Sequence, residues 1–345
     1  MKLKKFFAGV LAAAMMLTVG ATAAFAEEAA ALITSVDVSK VYKLIGAGIS
    51  PTETFTFDIK GKEVTNAGTG VTGKSMPVPS IGSVAYTVED GAKADGNSKN
   101  VTIDFTKDGQ LIYNAVGVYD YTVSENPGKT LGVAYDTKTY TMRVVVVNGE
   151  TRGTYKINSV QFIDSVTKQK ANTVSFENTY SANTLSVSKN VTGALGDKAK
   201  DFQFHVNFTN TNGTEKTWTN AITVKKTAQD GMNSTIILGE DGGFTLKDGE
   251  TVVFENVPAD LTYTVSEDDY TADGYTTKLN DEEKRDSGNE TMTAAAASCA
   301  FENSKGSGTI ETGVILDNAP YIALLAIVAI GGVALMLNKR RRDEE

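Results

Sequence analysis

Apolar residues recur at every second position in many short runs along this chain. Examples are Phe55-Thr-Phe57-Asp-Ile59, the alternation from Tyr119 to Glu125, and Phe202-Gln-Phe204-His-Val206. Val, Thr, Tyr and Phe dominate these runs, and Gly, Asn and Asp cluster between them. A period of two with β-branched and aromatic residues predicts half-buried strands, and the clusters predict turns. No long stretch at helical period lies between the two ends of the chain. Many short strands separated by turns predict an all-β chain built as sandwiches. The roughly 290 residues between the terminal segments are enough for two domains.

The ends break the pattern. Residues 1–26 combine Lys2, Lys4 and Lys5, an apolar run over 6–19, and Ala24-Phe25-Ala26. This is the pattern of a secretory signal, cut by signal peptidase after Ala26. Residues 319–337 are apolar throughout and long enough to cross a bilayer as a helix. Lys339-Arg340-Arg341-Arg342 follows, so 339–345 is expected to stay cytoplasmic and 319–338 to span the membrane. Just upstream stands Thr309-Ile310-Glu311-Thr312-Gly313. Residues 305–318 are read as a linker carrying that motif.

Charge and rare residues narrow the function classes. The net charge is −9, and loss of the signal makes the remainder more acidic. Nucleic acid and anionic lipid are poor partners for such a surface. Cys299 is the only cysteine and His205 the only histidine. An internal disulfide is impossible, and His/Cys metal sites and Cys/His or Ser/His catalysis in their usual forms lack residues. Neither metal nor cofactor is expected.

A triplet of motifs occurs twice in the same order. The first copy reads Val-Ser-Lys40, Tyr-Thr-Val-Ser-Glu125 and Phe-Glu-Asn178; the second reads Val-Ser-Lys189, Tyr-Thr-Val-Ser-Glu267 and Phe-Glu-Asn303. A Phe-Thr…Lys-Asp-Gly stretch also recurs before each Glu, ending at Gly109 and Gly249. Duplication with loop changes accounts for this. It divides the chain into domains at 27–180 and 181–304, joined by a short connector at 179–184.

Side chains two apart on a strand share a face. Lys40 extends a row with Val38 and Val36, Lys189 one with Val187 and Leu185, and Glu125 one with Val123 and Tyr121. Glu267 follows Val265 and Tyr263, Asn178 follows Phe176 and Val174, and Asn303 follows Phe301 and Cys299. All six polar residues therefore point inward. Burial disfavours charge, so the lysines lose a proton more easily and the glutamates hold theirs. A neutral Lys amine is a nucleophile. A protonated Glu can donate to the Asn carbonyl and shuttle a proton to departing ammonia. The expected product is an amide linking Lys40 to Asn178 and Lys189 to Asn303, with Glu125 and Glu267 catalytic. Phe254-Glu-Asn256 precedes Glu267 and so fails the strand order.

Together these features resemble the Gram-positive, streptococcal-type backbone pilins with isopeptide-linkage domains. The resemblance covers nearly the whole chain. It implies immunoglobulin-like folds related to the B-type repeats of a collagen-binding surface protein. It also implies that a sortase attacks the Thr312 carbonyl, releases Gly313 onward, and joins Thr312 to a lysine of the next subunit. Thr309 and Ile310 stand where such motifs usually carry Leu and Pro, and the Tyr-Pro-Lys-Asn pilin motif is missing. In the pilins it most resembles, the acceptor precedes the last strand of the first domain, where Lys170 stands with Lys168 beside it. The implied partners are sortase, other copies of the chain, other pilus subunits and peptidoglycan; a host ligand is not named by any residue. A wall-anchored monomeric stalk or adhesin is the alternative, and a secreted enzyme the outsider.

Overall fold

The computed structural model describes residues 32–67, 71–210, 222–239 and 241–306. The expected signal, residues 309–313 and the apolar span after 318 lie outside the described residues. Among the described residues no helix is long and apolar enough to cross a membrane.

Strands account for nearly all the regular structure. The first sandwich contains β1 (Ser35–Gly46), β2 (Glu53–Thr65), β3 (Val84–Tyr86), β4 (Asn97–Asp104), β5 (Gly117–Asn126), β6 (Thr139–Asn148), β7 (Tyr155–Asp164) and the start of β8 (Ser175–Thr192). One sheet runs β7-β6-β5-β2-β3, and the other runs β8-β1-β4. The second sandwich uses the end of β8 with β9 (Phe202–Thr209), β10 (Thr223–Thr227), β11 (Gly243–Leu246), β12 (Thr251–Pro258), β13 (Thr262–Glu267), β14 (Thr276–Leu279) and β15 (Ala297–Ser304). Its sheets run β10-β12-β8-β15-β14 and β11-β9-β13.

Alternation puts an apolar face of each sheet inward. Two separate cores result. Tyr42, Phe55, Tyr121, Phe176 and Tyr180 belong to the first, and Leu185, Phe204, Phe254 and Phe301 to the second. Truncating one of these buried rings to Ala would cost about 3–5 kcal/mol.

Among the described residues two strand pairings are parallel, while the other strand ladders are antiparallel. β1 pairs with β8, setting Lys40 against Phe176 and Tyr42 against Asn178. β8 pairs with β15, setting Lys189 against Phe301 and Val191 against Asn303. The same register thus recurs: Asn lies one inward position beyond the partner of Lys.

β8 serves both cores. Its buried positions are 176, 178, 180 and 182, then 184 and 185 in succession, then 187, 189 and 191. The doubled step coincides with a register shift against β12 between Asn183 and Leu185. A single extra residue exchanges the two faces of a strand. Even positions therefore feed the first core and odd positions the second. Residues 179–184, expected as a connector, lie inside this strand. Backbone bonds brace the junction: Ala47 N–H donates to Ala182 O, and Ser181 N–H to Gly132 O, both at 2.8 Å. Gly46 ends β1 there at φ 85°, where an added Cβ would stand 2.3 Å from Ala182 O.

Candidate functional site

The sheets bring the six polar residues together as two groups, one in each core. In the first, β1 supplies Lys40, β5 supplies Glu125 and β8 supplies Asn178. Their residual exposures are 0%, 6% and 0%. Lys40 Nζ donates to Glu125 Oε2 at 2.6 Å. Asn178 Nδ2 donates to Glu125 Oε1. The Asp136 backbone N–H donates to Asn178 Oδ1 at 2.7 Å. The Lys40 ammonium also lies 4.2 Å from the centroid of the Phe55 ring.

In the second group, Lys189, Glu267 and Asn303 retain 2%, 4% and 0% exposure. Lys189 Nζ lies 3.1 Å from Glu267 Oε1. Asn303 Nδ2 donates to that same oxygen at 3.0 Å. The Thr277 hydroxyl donates to Glu267 Oε2 at 3.1 Å. Among the described residues, Lys189 Nζ and Asn303 Oδ1 have no hydrogen-bond partner of good geometry. Lys189 Nζ sits 4.3 Å from the centroid of Phe202.

Burial dominates the proton affinities. It lowers Lys40 and Lys189 each to about 8, outweighing the neighbouring carboxylates, which pull upward. It raises Glu125 and Glu267 against the pull of their Lys and amide partners. Each pair is therefore poised to share one proton in either direction. A neutral amine beside a protonated carboxyl is then an accessible form.

One expectation requires correction. Glu was expected to donate to the Asn carbonyl. In both groups the Glu oxygen instead meets the Asn amide nitrogen. In the first group a backbone N–H already occupies the carbonyl oxygen; in the second, Glu267 takes the amide nitrogen although the carbonyl oxygen has no donor among the described residues. Glu is placed between the amine and the nitrogen that would leave, which suits proton transfer.

The Phe-x-Phe strands also belong to the two groups, a role their alternation alone did not reveal. Phe57 lies opposite Glu125 in the β2–β5 register, and Phe204 opposite Glu267 in the β9–β13 register. Phe57 packs on Phe176 with centroids 5.3 Å apart, and Phe204 on Phe301 at 5.0 Å. The preceding Phe55 and Phe202 carry the lysines. The repeated Phe-x-Phe shortly after each Val-Ser-Lys was the available signal. Asp136 and Thr277 gave none, because neither belongs to a repeated motif.

The remaining candidates are peripheral to these groups. Lys168 and Lys170 are exposed in the segment after β7. Lys168 adopts φ 60° and folds its ammonium onto Ser165 O at 2.5 Å. Lys170 bridges Ile163 through its backbone. Asn256 accepts the Ile49 N–H at the sandwich junction, a role for the Phe-Glu-Asn that fell out of order. Cys299 is buried at 2% exposure, and burial pushes its thiol up to about 12.

Comparison with known proteins agrees with this architecture. Residues 36–181 match the family model of the Spy0128-like isopeptide containing domain, and residues 183–305 match a domain of unknown function, DUF7601. A pilin of Streptococcus pyogenes serotype M1 is 31% identical over 318 residues, spanning 88% of this chain and 90% of that one. The Streptococcus pyogenes pilus tip adhesin Cpa is 29% identical over 83 residues, 24% of this chain and 11% of that one. The crystal structure of the major pilin from Streptococcus pyogenes superposes with a TM-score of 0.53 at 27% identity, covering 79% of this chain and 99% of that one. The chain belongs to the Gram-positive backbone pilins and is a structural subunit of a cell-surface pilus.

Proposed function

We propose that this pilin is hardened by two self-formed amide cross-links, Lys40–Asn178 and Lys189–Asn303, with Glu125 and Glu267 as the proton-transfer catalysts. One observation carries the reading: two buried Lys–Glu–Asn groups sit at the same strand register in two cores. In each, a nucleophile, a proton carrier and an amide converge where water is excluded. Such placement supplies the effective concentration that free Lys and Asn lack. Each bond forms once, so the chain is not an enzyme. Treated like a disulfide of the same span, the first bond stabilises by about 5 kcal/mol.

The reading extends to the ends. Signal peptidase removes residues 1–26, the domains occupy 27–180 and 181–304, and a sortase cuts after Thr312. Thr312 is then joined to a lysine on the next subunit or to peptidoglycan. Lys170 is the better acceptor, since the Lys168 ammonium is already engaged by Ser165 O.

Intact mass and peptide mapping of residues 27–312 test the cross-links. The expected result is a deficit of two ammonia molecules with both linked peptides recovered. A mass equal to the plain sequence would refute the cross-links. A Lys170→Ala strain should lose the high-molecular-weight ladder from boiled wall extracts; an unchanged ladder would refute that acceptor.

A further inference from the structure

We propose that amide activation is divided between two groups at the first site. The Asp136 main-chain N–H polarises the Asn178 carbonyl and holds the charge that develops on Oδ1, while Glu125 only moves the proton. The inference rests on the cross-link reading above.

The geometry begins at the edge of β8. Val133 and Ala134 pair with Tyr180 and Thr179 and then leave the ladder. The Asp136 N–H is thereby released from strand pairing and donates to Asn178 Oδ1 at 2.7 Å. The donor thus already polarises the unreacted carbonyl and stands beside the oxygen on which charge develops. The Asp136 carboxylate fixes the amide in place. Its Oδ2 accepts the Glu177 N–H and its Oδ1 accepts the Lys138 N–H, both at 2.7 Å. The side chain is 5% exposed, with Lys138 Nζ 3.5 Å away.

The second site is built differently. β14 pairs with β15 straight past Asn303, from Thr276 opposite Ser304 to Leu279 opposite Phe301. It contributes the Thr277 hydroxyl to Glu267. Asn303 Oδ1 has no donor among the described residues.

Lys40 Nζ attacks Asn178 Cγ and forms the new N–C bond. The carbonyl π pair moves to Oδ1, against the Asp136 N–H. Glu125 accepts a proton from Nζ and delivers one to Nδ2. The Cγ–Nδ2 bond breaks with its electron pair on nitrogen, ammonia leaves, and the carbonyl re-forms. The Asp136 N–H does not titrate, so its contribution is constant with pH.

The test follows both linkages in one chain. The full chain is synthesised in a cell-free system, quenched in denaturant at intervals, and mapped for the two linked peptides. The Lys40–Asn178 peptide should accumulate first. Asp136→Pro, which removes the N–H, should slow it roughly a hundredfold and leave Lys189–Asn303 unchanged. Asp136→Ala, which keeps the N–H but loses its anchors, should fall between. Limited proteolysis compares Asp136→Pro with Glu125→Ala, which lacks the bond for another reason; equal resistance means that the Pro variant is folded. If it is not folded, Asp136→Ala decides. Linkage at the wild-type rate in a folded Asp136→Pro chain, or in Asp136→Ala where the Pro chain is unfolded, overturns the proposal, as does earlier linkage of Lys189–Asn303 in the wild type. Absence of both linked peptides from the wild type overturns the cross-link reading itself, and this inference with it.

Discussion

The two buried groups share register, aromatic packing and the direction in which burial moves their proton affinities, yet they differ around the amide. Asn178 has its carbonyl oxygen held by a backbone N–H and its nitrogen held by Glu125. Asn303 has its nitrogen held by Glu267, while its oxygen is bare among the described residues. Glu125 spends one oxygen on Lys and one on Asn; Glu267 offers both partners the same oxygen and gives the other to Thr277. The two groups agree where core strands dictate position and differ at the strand edge. A core strand cannot shift without turning every side chain over. An edge segment such as 133–136 has no such constraint.

The largest effects should come from removing the proton carriers. Glu125→Ala should abolish only the Lys40–Asn178 peptide and destabilise the first sandwich by at least about 5 kcal/mol, measured by denaturant unfolding. Glu267→Ala should do the same to the second sandwich alone. Loss of both linkages from either variant would show that the sites are not independent.

Linkage should respond to pH alike at both sites. The reactive form holds one proton between amine and carboxyl. In acid both groups are protonated and no nucleophile exists. The rate then rises with pH through the carboxyl's value, which burial raises. In alkali the amine is free, but no proton remains for the departing ammonia. The rate should therefore fall through about 8 at both sites. Chain recovered unlinked in urea and diluted into buffers of differing pH supplies the profile. Alkaline limbs more than a unit apart would mean that the sites differ in burial as well as in donors.

Smaller effects should sharpen the contrast. Phe55→Leu and Phe202→Leu should each destabilise by about 1 kcal/mol, read in unlinked backgrounds, because each ring both packs and faces a lysine. Unequal losses would place the asymmetry in the aromatic floor too. Thr277→Val should act on the second site alone, by about 1 kcal/mol. Its hydroxyl favours the ionised Glu267, so its loss should raise that carboxyl further and move the acid limb of that site upward.

Much of this was legible in the chain itself. Period-two alternation marked the strands, and the inward rows behind Lys40, Glu125 and Asn178 foretold burial. Three things were not legible. The parity change at Thr184 and Leu185 reads as ordinary alternation on either side, so a connector was expected where a strand runs on. The Asp136 N–H is a backbone group, positioned by where a ladder ends. The orientation of the Asn178 amide follows from that donor, and a motif specifies only that an Asn is present.

β8 has a consequence for length under load. Asn178 and Lys189 lie on this one strand, eleven residues apart. With both amide bonds in place, a pull between Lys40 and Asn303 passes through a cross-link, that short stretch, and a second cross-link. A strand already rises about 3.3 Å per residue, against a ceiling of roughly 3.6 Å. The stretch can therefore yield only a few ångströms. Without the first bond, the chain from 40 to 178 alone could pay out roughly 450 Å. With both proposed bonds in place, the shared strand would hold each subunit close to a fixed contour length under load.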